Sequence, residues 1–169
     1  MGRPKALVHD PGGTSWLVRS VGVLRDGGCQ TVTVVLGAAA EEAAGLVPEG
    51  AAVVVADDWS EGMGASLRVG LSALPEAADA VVVSLVDLPD VDADVVRRVV
   101  EAGTDPAVLA RAAYGGVPGH PVLLGRDHWA GVSGTASGDA GARDYLRERD
   151  VRLVECGDLA TGRDVDRPS

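Results

Sequence analysis

The residue types best suited to phosphate chemistry begin with a lysine near the start of the chain. Lys5 is the single lysine among 15 basic residues, and it closes the opening sequence Met1-Gly2-Arg3-Pro4-Lys5. A lysine ammonium is a compact charge on a flexible stem, whereas arginine presents a planar fork to phosphate oxygens. This placement suggests that Lys5 contacts phosphate. The alternative is that the one lysine lies here by chance, and the rest of the chain has to decide between these two interpretations.

Two acidic segments far apart in the chain could join Lys5 in a phosphate-binding site. Asp87 directly follows the Val-rich run at 81–86 and precedes Leu88-Pro89, where a carboxylate would project into a cleft at the end of a strand. Asp164 and Asp166 face the same side if that segment is extended. Carboxylates from two segments, together with substrate phosphates and water, are typical of Mg²⁺ sites. Alternatively, Asp87 is only a turn residue, and Asp164 and Asp166 belong to a solvated tail.

Three loops have the composition of ligand loops. Glu61-Gly62-Met63-Gly64-Ala65-Ser66 follows Asp57-Asp58-Trp59 and offers backbone N–H groups and a hydroxyl to an anion or a base, although it lacks the G-K-[ST] ending of a Walker loop. Gly119-His120-Pro121 leads into a short strand, and the segment from Gly138 to Arg143 opens a helix. Alternatively, His120 has a structural role and Asp139 caps a helix.

Composition limits the class of protein. At 169 residues the chain has the size of one domain, and the predicted domain spans all of residues 1–169. A net charge of −10 argues against nucleic acid or an anionic membrane as the main partner. Cys29 and Cys156 are too far apart for a zinc motif, and the apolar runs are too short for a membrane span. The sequence therefore predicts a single cytoplasmic domain.

The elements that must position these residues alternate between strands and helices. Apolar runs covered on both faces are typical of a sheet with helices on each side, which predicts a three-layer α/β fold with a mostly parallel sheet. Helices are predicted from Trp16 to the Gly27-Gly28 pair, around Leu67 to Leu74, from the Asp92 cap to Ala102, and over Ala140 to Arg149. Gly131 to Gly141 is predicted to be a loop. The predicted strands are Thr31 to Leu36, Ala51 to Val55, Ala80 to Leu85, Ala107 to Ala112, Pro121 to Leu124 and Val151 to Cys156.

In this order, the pieces resemble the MobA-like NTP transferases, nucleotidyltransferases with a Rossmann-like nucleotide-diphospho-sugar transferase fold, and most closely their molybdenum cofactor cytidylyltransferase branch. That branch carries a loop ending M-G-x-P-K-x-L, a W-x-x-G-M-G-x-S-L turn, an Asp-x-Pro strand end, G-H-P, G-D-x-G-A-R and a final D-I-D-T-P. The matching segments here are Met1 to Leu7, Trp59 to Leu67, Asp87 to Pro89, Gly119 to Pro121, Gly138 to Arg143 and Asp164 to Pro168. Each match is weak alone, but six in the same order are specific.

The resemblance implies a role for each group. Lys5, Asp87 and Asp166 would be the catalytic residues, and Asp87 and Asp166 would hold Mg²⁺. A phosphate oxygen of the acceptor would attack the α-phosphorus of a nucleoside triphosphate and expel pyrophosphate, which needs positioning and charge neutralisation more than a protein nucleophile. The implied nucleotide contacts are Gly2, Pro4, Lys5, Asp58, Gly64 and Ser66, and the implied acceptor contacts are Gly119, His120, Pro121 and Asp139.

The sequence departs from the family pattern at its start. The family's first strand and the L-A-A-G-x-G-x-R part of its phosphate loop are absent before Met1-Gly2. In the family this strand lies centrally, between the strands that match Thr31 to Leu36 and the run before Asp87, so its absence should leave two unpaired strand edges. We expect the reading frame to continue upstream for about ten to fifteen residues, the length of a strand and a loop. A stop codon directly before Met1 would contradict this.

The resemblance leaves several functions open. The favoured one transfers a cytidylyl group from CTP to the phosphate of molybdopterin, and the next acts on another small phosphorylated acceptor. A non-catalytic cofactor-binding module, such as a chaperone for a molybdoenzyme, is an alternative from a different class. An Asp87→Asn variant separates the two, because an enzyme should lose turnover whereas a binding module should keep its ligand. A purely structural domain would leave the ordered motifs unexplained.

Overall fold

The computed structural model describes residues 4–165, so Gly2 and Asp166, both predicted site residues, lie outside the described residues. The strands are β1 (Thr33–Leu36), β2 (Ala52–Val55), β3 (Ala80–Val83), β4 (Leu109–Tyr114), β5 (Val117–Gly125) and β6 (Arg152–Glu155). The α-helices are α1 (Trp16–Asp26), α2 (Ala40–Ala44), α3 (Met63–Ser72), α4 (Ala93–Val100), α5 (Trp129–Thr135) and α6 (Arg143–Arg147). Helices and strands alternate as predicted from α1 to β4, after which two strands and then two helices follow one another before β6.

The described strands form two separate sheets. β1 and β2 pair in parallel, while the other strands form a sheet of order β3-β5-β4-β6. β5 is antiparallel to both of its neighbours, and β4 is parallel to β6. The α/β fold is confirmed, but the pairing is evenly divided rather than mostly parallel. The reason is a hairpin: Gly115 and Gly116 both have positive φ and turn β4 directly back into β5.

The four-stranded sheet is covered on both faces, which confirms the three-layer arrangement. Alternate residues of β5 point to opposite sides, so Leu123 packs with α4 while Leu124 packs with α3, α5 and α6. Val95 and Val99 supply the α4 side of this core, and the Asp92 carboxylate caps α4 by accepting bonds from Asp94 and Val95 N–H.

The two sheets do not pair with one another, as the predicted absence of a central strand requires. The edges of β1 and β3 face a cavity of about 1000 Å³ that both strands line. Leu7, Leu36 and Val86 belong to one apolar cluster, so the ends of both strands meet near the start of the chain. Within residues 4–165, no strand occupies the space between β1 and β3.

One predicted loop is partly helical. Gly131 to Gly141 was expected to be irregular because of its Gly, Ser and Ala content, but α5 covers Trp129–Thr135 and a 3₁₀ turn covers Gly138–Ala140. Val132, fully buried against the sheet, explains the difference, because tertiary packing outweighs a weak local helix preference. None of the helices in the described part of the chain is long and apolar enough to cross a membrane.

Candidate functional site

Lys5 and Asp87 meet at the carboxyl end of β3. Lys5 begins a 3₁₀ turn over Lys5–Leu7, which the buried Leu7 holds against the apolar cluster beneath β1. The Lys5 ammonium donates to Asp87 Oδ2 at 2.5 Å, and Asp87 is only 8% exposed. These two predicted catalytic residues, 82 positions apart, therefore form one charged pair where the ends of both sheets approach each other.

A segment near the C-terminus is tied to the same place. We call residues 157–165 the C-terminal strap. The Val165 N–H donates to the backbone carbonyl of Asp87 at 3.0 Å, and the Thr161 N–H and hydroxyl both donate to Asp90 Oδ2 at 2.6 Å. Gly162 lies so close to the Tyr114 ring that a Cβ there would be 2.1 Å from a ring carbon. The strap thus brings the backbone at Val165, next to the predicted Asp164, beside Asp87.

Asp87 is the described residue at this place that could hold a divalent metal. It contributes one nearly buried carboxylate, and the Val165 N–H is hydrogen-bonded to its backbone carbonyl, whereas the predicted second ligand lies outside the described residues. No cluster of three or more His, Cys, Asp or Glu suited to a metal occurs among residues 4–165. Magnesium commonly takes only one or two protein carboxylates, so phosphate and water oxygens would have to complete the ligands of a metal bound here.

The glycine-rich turn packs directly against the loop that precedes α6. A Cβ on Gly62 would be 2.5 Å from the Gly138 carbonyl carbon, and one on Gly64 would be 2.7 Å from the Ser137 nitrogen. Gly62 also has φ of +113°, which side chains disfavour. These glycines allow two backbones to touch, and Ser66, one turn further along α3, lines the cavity.

Asp58 occupies a different environment from the other predicted nucleotide contacts. Its carboxylate lies 3.5 Å from the Arg68 guanidinium, which also contacts Glu61 and donates to the Ala136 carbonyl. Asp58 is not among the residues that line the cavity. Its observed contact is an ion pair that ties the start of the glycine-rich turn to α3, and its contact with a nucleotide remains a prediction.

Gly119-His120-Pro121 was predicted to be a loop leading into a strand, but it lies within β5, because the hairpin after Tyr114 starts the strand at Val117. This segment presents His120 to the cavity and buries Pro121 beneath it. The peptide between His120 and Pro121 is cis. The Tyr114 hydroxyl donates to the His120 carbonyl at 2.6 Å, which fixes this segment to β4. Burial, together with the charge on Arg111, lowers the pKa of His120 to about 4, although Asp87 acts in the opposite direction. His120 is therefore neutral at pH 7 and lies within electrostatic range of both charged groups.

Two arginines that the sequence analysis did not assign to the site also line this cavity. Arg111 extends from β4 and its Nε donates to the Gly119 carbonyl at 3.0 Å. Arg143 is the first residue of α6 and lies at the end of the Gly138 to Arg143 loop. Burial lowers the pKa of Arg111, and the positive charge on Arg143 adds to this effect. Arg143 stands within a recognised motif, but nothing in the sequence links Arg111 to it.

Apart from Asp58, the predicted site residues that the structure describes fall into three groups. Lys5 and Asp87 form the charged pair, with Pro4 directly before the pair's lysine. The residues that line the cavity itself are Ser66, Gly119, His120 and Asp139. Gly64 and Pro121 are buried beside this cavity and support its loops.

Comparisons with known proteins agree with the resemblance in the sequence. The model of the MobA-like NTP transferase domain matches residues 1–153. Nicotine blue oxidoreductase of Paenarthrobacter nicotinovorans is 37% identical over 176 residues, covering 96% of this chain and 83% of that protein.

Solved structures extend the similarity to the fold. Rv0371c of Mycobacterium tuberculosis H37Rv has a TM-score of 0.80 at 28% identity, covering 99% of this chain and 86% of that one. The same protein in complex with manganese has a TM-score of 0.76 at 28% identity, covering 92% of this chain and 83% of that one. The manganese complex agrees with a divalent metal as the cofactor of such proteins.

Proposed function

Because the chain belongs to the MobA-like NTP transferase family, we propose that it transfers a nucleoside monophosphate, CMP from CTP, to the phosphate of molybdopterin with release of pyrophosphate. Within this proposal the chain is a single cytoplasmic domain. Its partners are the nucleotide, the phosphorylated acceptor and a molybdoenzyme that receives the product. Nucleic acid and membranes are not partners, in keeping with the net charge of −10.

The observation that carries the proposal is the meeting of three distant segments at the end of β3. Lys5, Asp87 and the strap residue Val165 are linked by two hydrogen bonds, of 2.5 Å and 3.0 Å. A cation beside a nearly buried carboxylate is suited to a triphosphate, whose negative charge has to be neutralised before an anionic nucleophile can approach. Gly119, His120 and Asp139 line the neighbouring cavity and are left for the second substrate.

Each described group has a role in this mechanism. The Lys5 ammonium binds a phosphate oxygen of the nucleotide, and Asp87 holds the lysine side chain in position. Ser66 offers a hydroxyl to the nucleotide from the first turns of α3. Neutral His120 donates a hydrogen bond to the acceptor substrate without adding charge. The buried Pro121 keeps this segment of β5 in place. The acceptor phosphate oxygen is already a nucleophile, so no residue has to remove a proton from it.

Magnesium held by Asp87 and Asp166 would neutralise charge on the triphosphate and on the pyrophosphate leaving group. We propose magnesium rather than another divalent ion because carboxylate and phosphate oxygens are its usual ligands.

A pyrophosphate-release assay tests the proposal. The protein is supplied with molybdopterin and each of the four nucleoside triphosphates in turn, with Mg²⁺ or with a chelator. We expect release with CTP and Mg²⁺ that exceeds release with the other three nucleotides. Equal release with all four would contradict cytidylyl specificity, and release only with a different phosphorylated acceptor would identify that acceptor class instead. Nucleotide binding without release would favour the cofactor-binding module.

A second candidate function comes from the relative named nicotine blue oxidoreductase, which is 37% identical over 176 residues. On this hypothesis the cavity binds an aromatic dye and a reduced dinucleotide rather than an acceptor phosphate. The test is the loss of absorbance of nicotine blue in the presence of a reduced nicotinamide dinucleotide. Bleaching that survives Asp87→Asn would favour the oxidoreductase, because hydride transfer does not require that carboxylate.

A further inference from the structure

Arg111 and Arg143 are the two arginines of residues 4–165 that line the large cavity. Four arginines elsewhere are paired with carboxylates, namely Arg68, Arg97, Arg98 and Arg147. Neither Arg111 nor Arg143 forms an ion pair with any carboxylate among residues 4–165. Both are close enough for the charge on Arg143 to lower the pKa of Arg111, in a chain whose carboxylates outnumber its basic residues by 25 to 15.

The local structure holds this arrangement in place. Arg111 is half-buried on β4, and its Nε bond to the Gly119 carbonyl leaves both terminal nitrogens of the fork for another acceptor. Arg143 is brought to the cavity by the turn at Gly141, where φ is +53°. The backbone contact between the glycine-rich turn and the loop at Gly138 fixes the position of the turn at Gly141. Two like charges are thus kept near each other by the fold.

We propose that Arg111 and Arg143 form an anion subsite that binds the phosphate monoester of the acceptor substrate. Two guanidinium groups match a dianion in charge, and a phosphate monoester carries close to two negative charges at pH 7. Their planar forks also match phosphate oxygens in geometry. A carboxylate would neutralise only one of the two charges.

The segments next to the two arginines assign the subsite to the acceptor rather than to the nucleotide. Arg111 donates to the Gly119 carbonyl, and Arg143 follows the 3₁₀ turn over Gly138–Ala140, so both arginines adjoin segments proposed to contact the acceptor. The nucleotide phosphates are proposed to bind at Lys5, which leaves the arginines for the second substrate. This assignment rests on the proposed function, whereas the existence of an anion subsite does not.

The first experiment measures binding of inorganic phosphate by calorimetry, without nucleotide or metal. Arg143→Gln is the test variant because Arg143 is exposed and makes no hydrogen bond on which folding depends. Arg147→Gln, on the same helix and also exposed, is the matched control. We expect Arg143→Gln to weaken phosphate binding about tenfold and Arg147→Gln to leave it unchanged. Equal binding by both variants, or absence of saturable binding to the parent protein, would overturn the subsite.

The second experiment assigns the substrate by steady-state kinetics. Arg143→Gln should raise the KM for the phosphorylated acceptor about tenfold and leave the KM for the nucleoside triphosphate unchanged. A rise confined to the nucleotide KM would overturn the assignment to the acceptor. If the parent protein has no transferase activity, the proposed function fails, and the phosphate titration still decides whether the anion subsite exists.

Discussion

The two sheets are built from similar Val-rich strands but differ in how far they are buried. Val53 and Val55 of β2 are 39% and 48% exposed, whereas Leu123 and Leu124 of β5 are at most 1% exposed. β5 has a strand on each side and helices on both faces, while β1 has one strand neighbour and an edge that faces the cavity. Burial here follows from the number of neighbours rather than from the hydropathy of the strand.

The site lies where these two regions meet, so the largest expected effect is at their junction. Asp87→Asn keeps the shape of the side chain but removes the charge that pairs with Lys5 and would bind a metal. We expect turnover in the pyrophosphate assay to fall by about 10²- to 10³-fold, the usual loss when a key electrostatic group is removed.

Asp79→Asn is the matched control, because Asp79 is exposed just before the opposite end of β3. It should keep full turnover and an unchanged melting temperature. A similar loss in both variants would show that the strand, not the carboxylate at its end, determines the activity.

The next prediction compares how strongly side chains of the two sheets contribute to stability. Leu124→Ala removes a fully buried side chain from β5 and should lower the free energy of unfolding by about 3 to 4 kcal/mol. Val53→Ala in the exposed β2 should cost less than about 1 kcal/mol. Denaturant unfolding of both variants checks this, and comparable losses would mean that the two-stranded sheet is as well packed as the other.

A pH dependence should arise on the cavity side of the four-stranded sheet. The folded-state pKa of His120 is about 4, below its ordinary value of 6.5. Its stabilising contribution is therefore complete above pH 6.5 and is lost as the pH falls toward 4, because the unfolded chain binds the proton first. The loss should reach as much as about 3 kcal/mol.

Melting temperatures measured from pH 7 to pH 4 test this contribution. His120→Gln should flatten the decline in that range, and His9→Gln should retain it. If the melting temperature of His120→Gln falls as steeply as that of the parent protein, the pH dependence belongs to other groups.

The smallest expected effect concerns the backbone amides of the two sheets. Amides of β1 and β2 should exchange with solvent at least about tenfold faster than those of β4 and β5, because an edge strand opens more easily than a central one. Hydrogen exchange followed by mass spectrometry or NMR provides the measurement. Equal exchange in the two sheets would contradict this comparison.

The sequence predicted the strands better than it predicted the site. The Val-rich runs stand out because a covered strand needs apolar residues at successive positions, and all of them correspond to observed strands. α5 was missed because its helix depends on packing of Val132 rather than on local preference. Motif order identified Lys5 and Asp87 as site residues but did not predict their ion pair, and Arg111 became visible only in the fold, where its Nε donates to the Gly119 carbonyl.

The backbone contact at Gly62 and Gly64 has a consequence for how this protein can diverge. A side chain at either position would collide with the loop at residues 136–139, so neither loop can shift without moving the other. A mutation that adapts one loop to a new base would therefore also disturb the loop proposed to face the acceptor. Changes of specificity in this lineage should come as paired substitutions across the two loops, and single replacements should be rare among functional descendants.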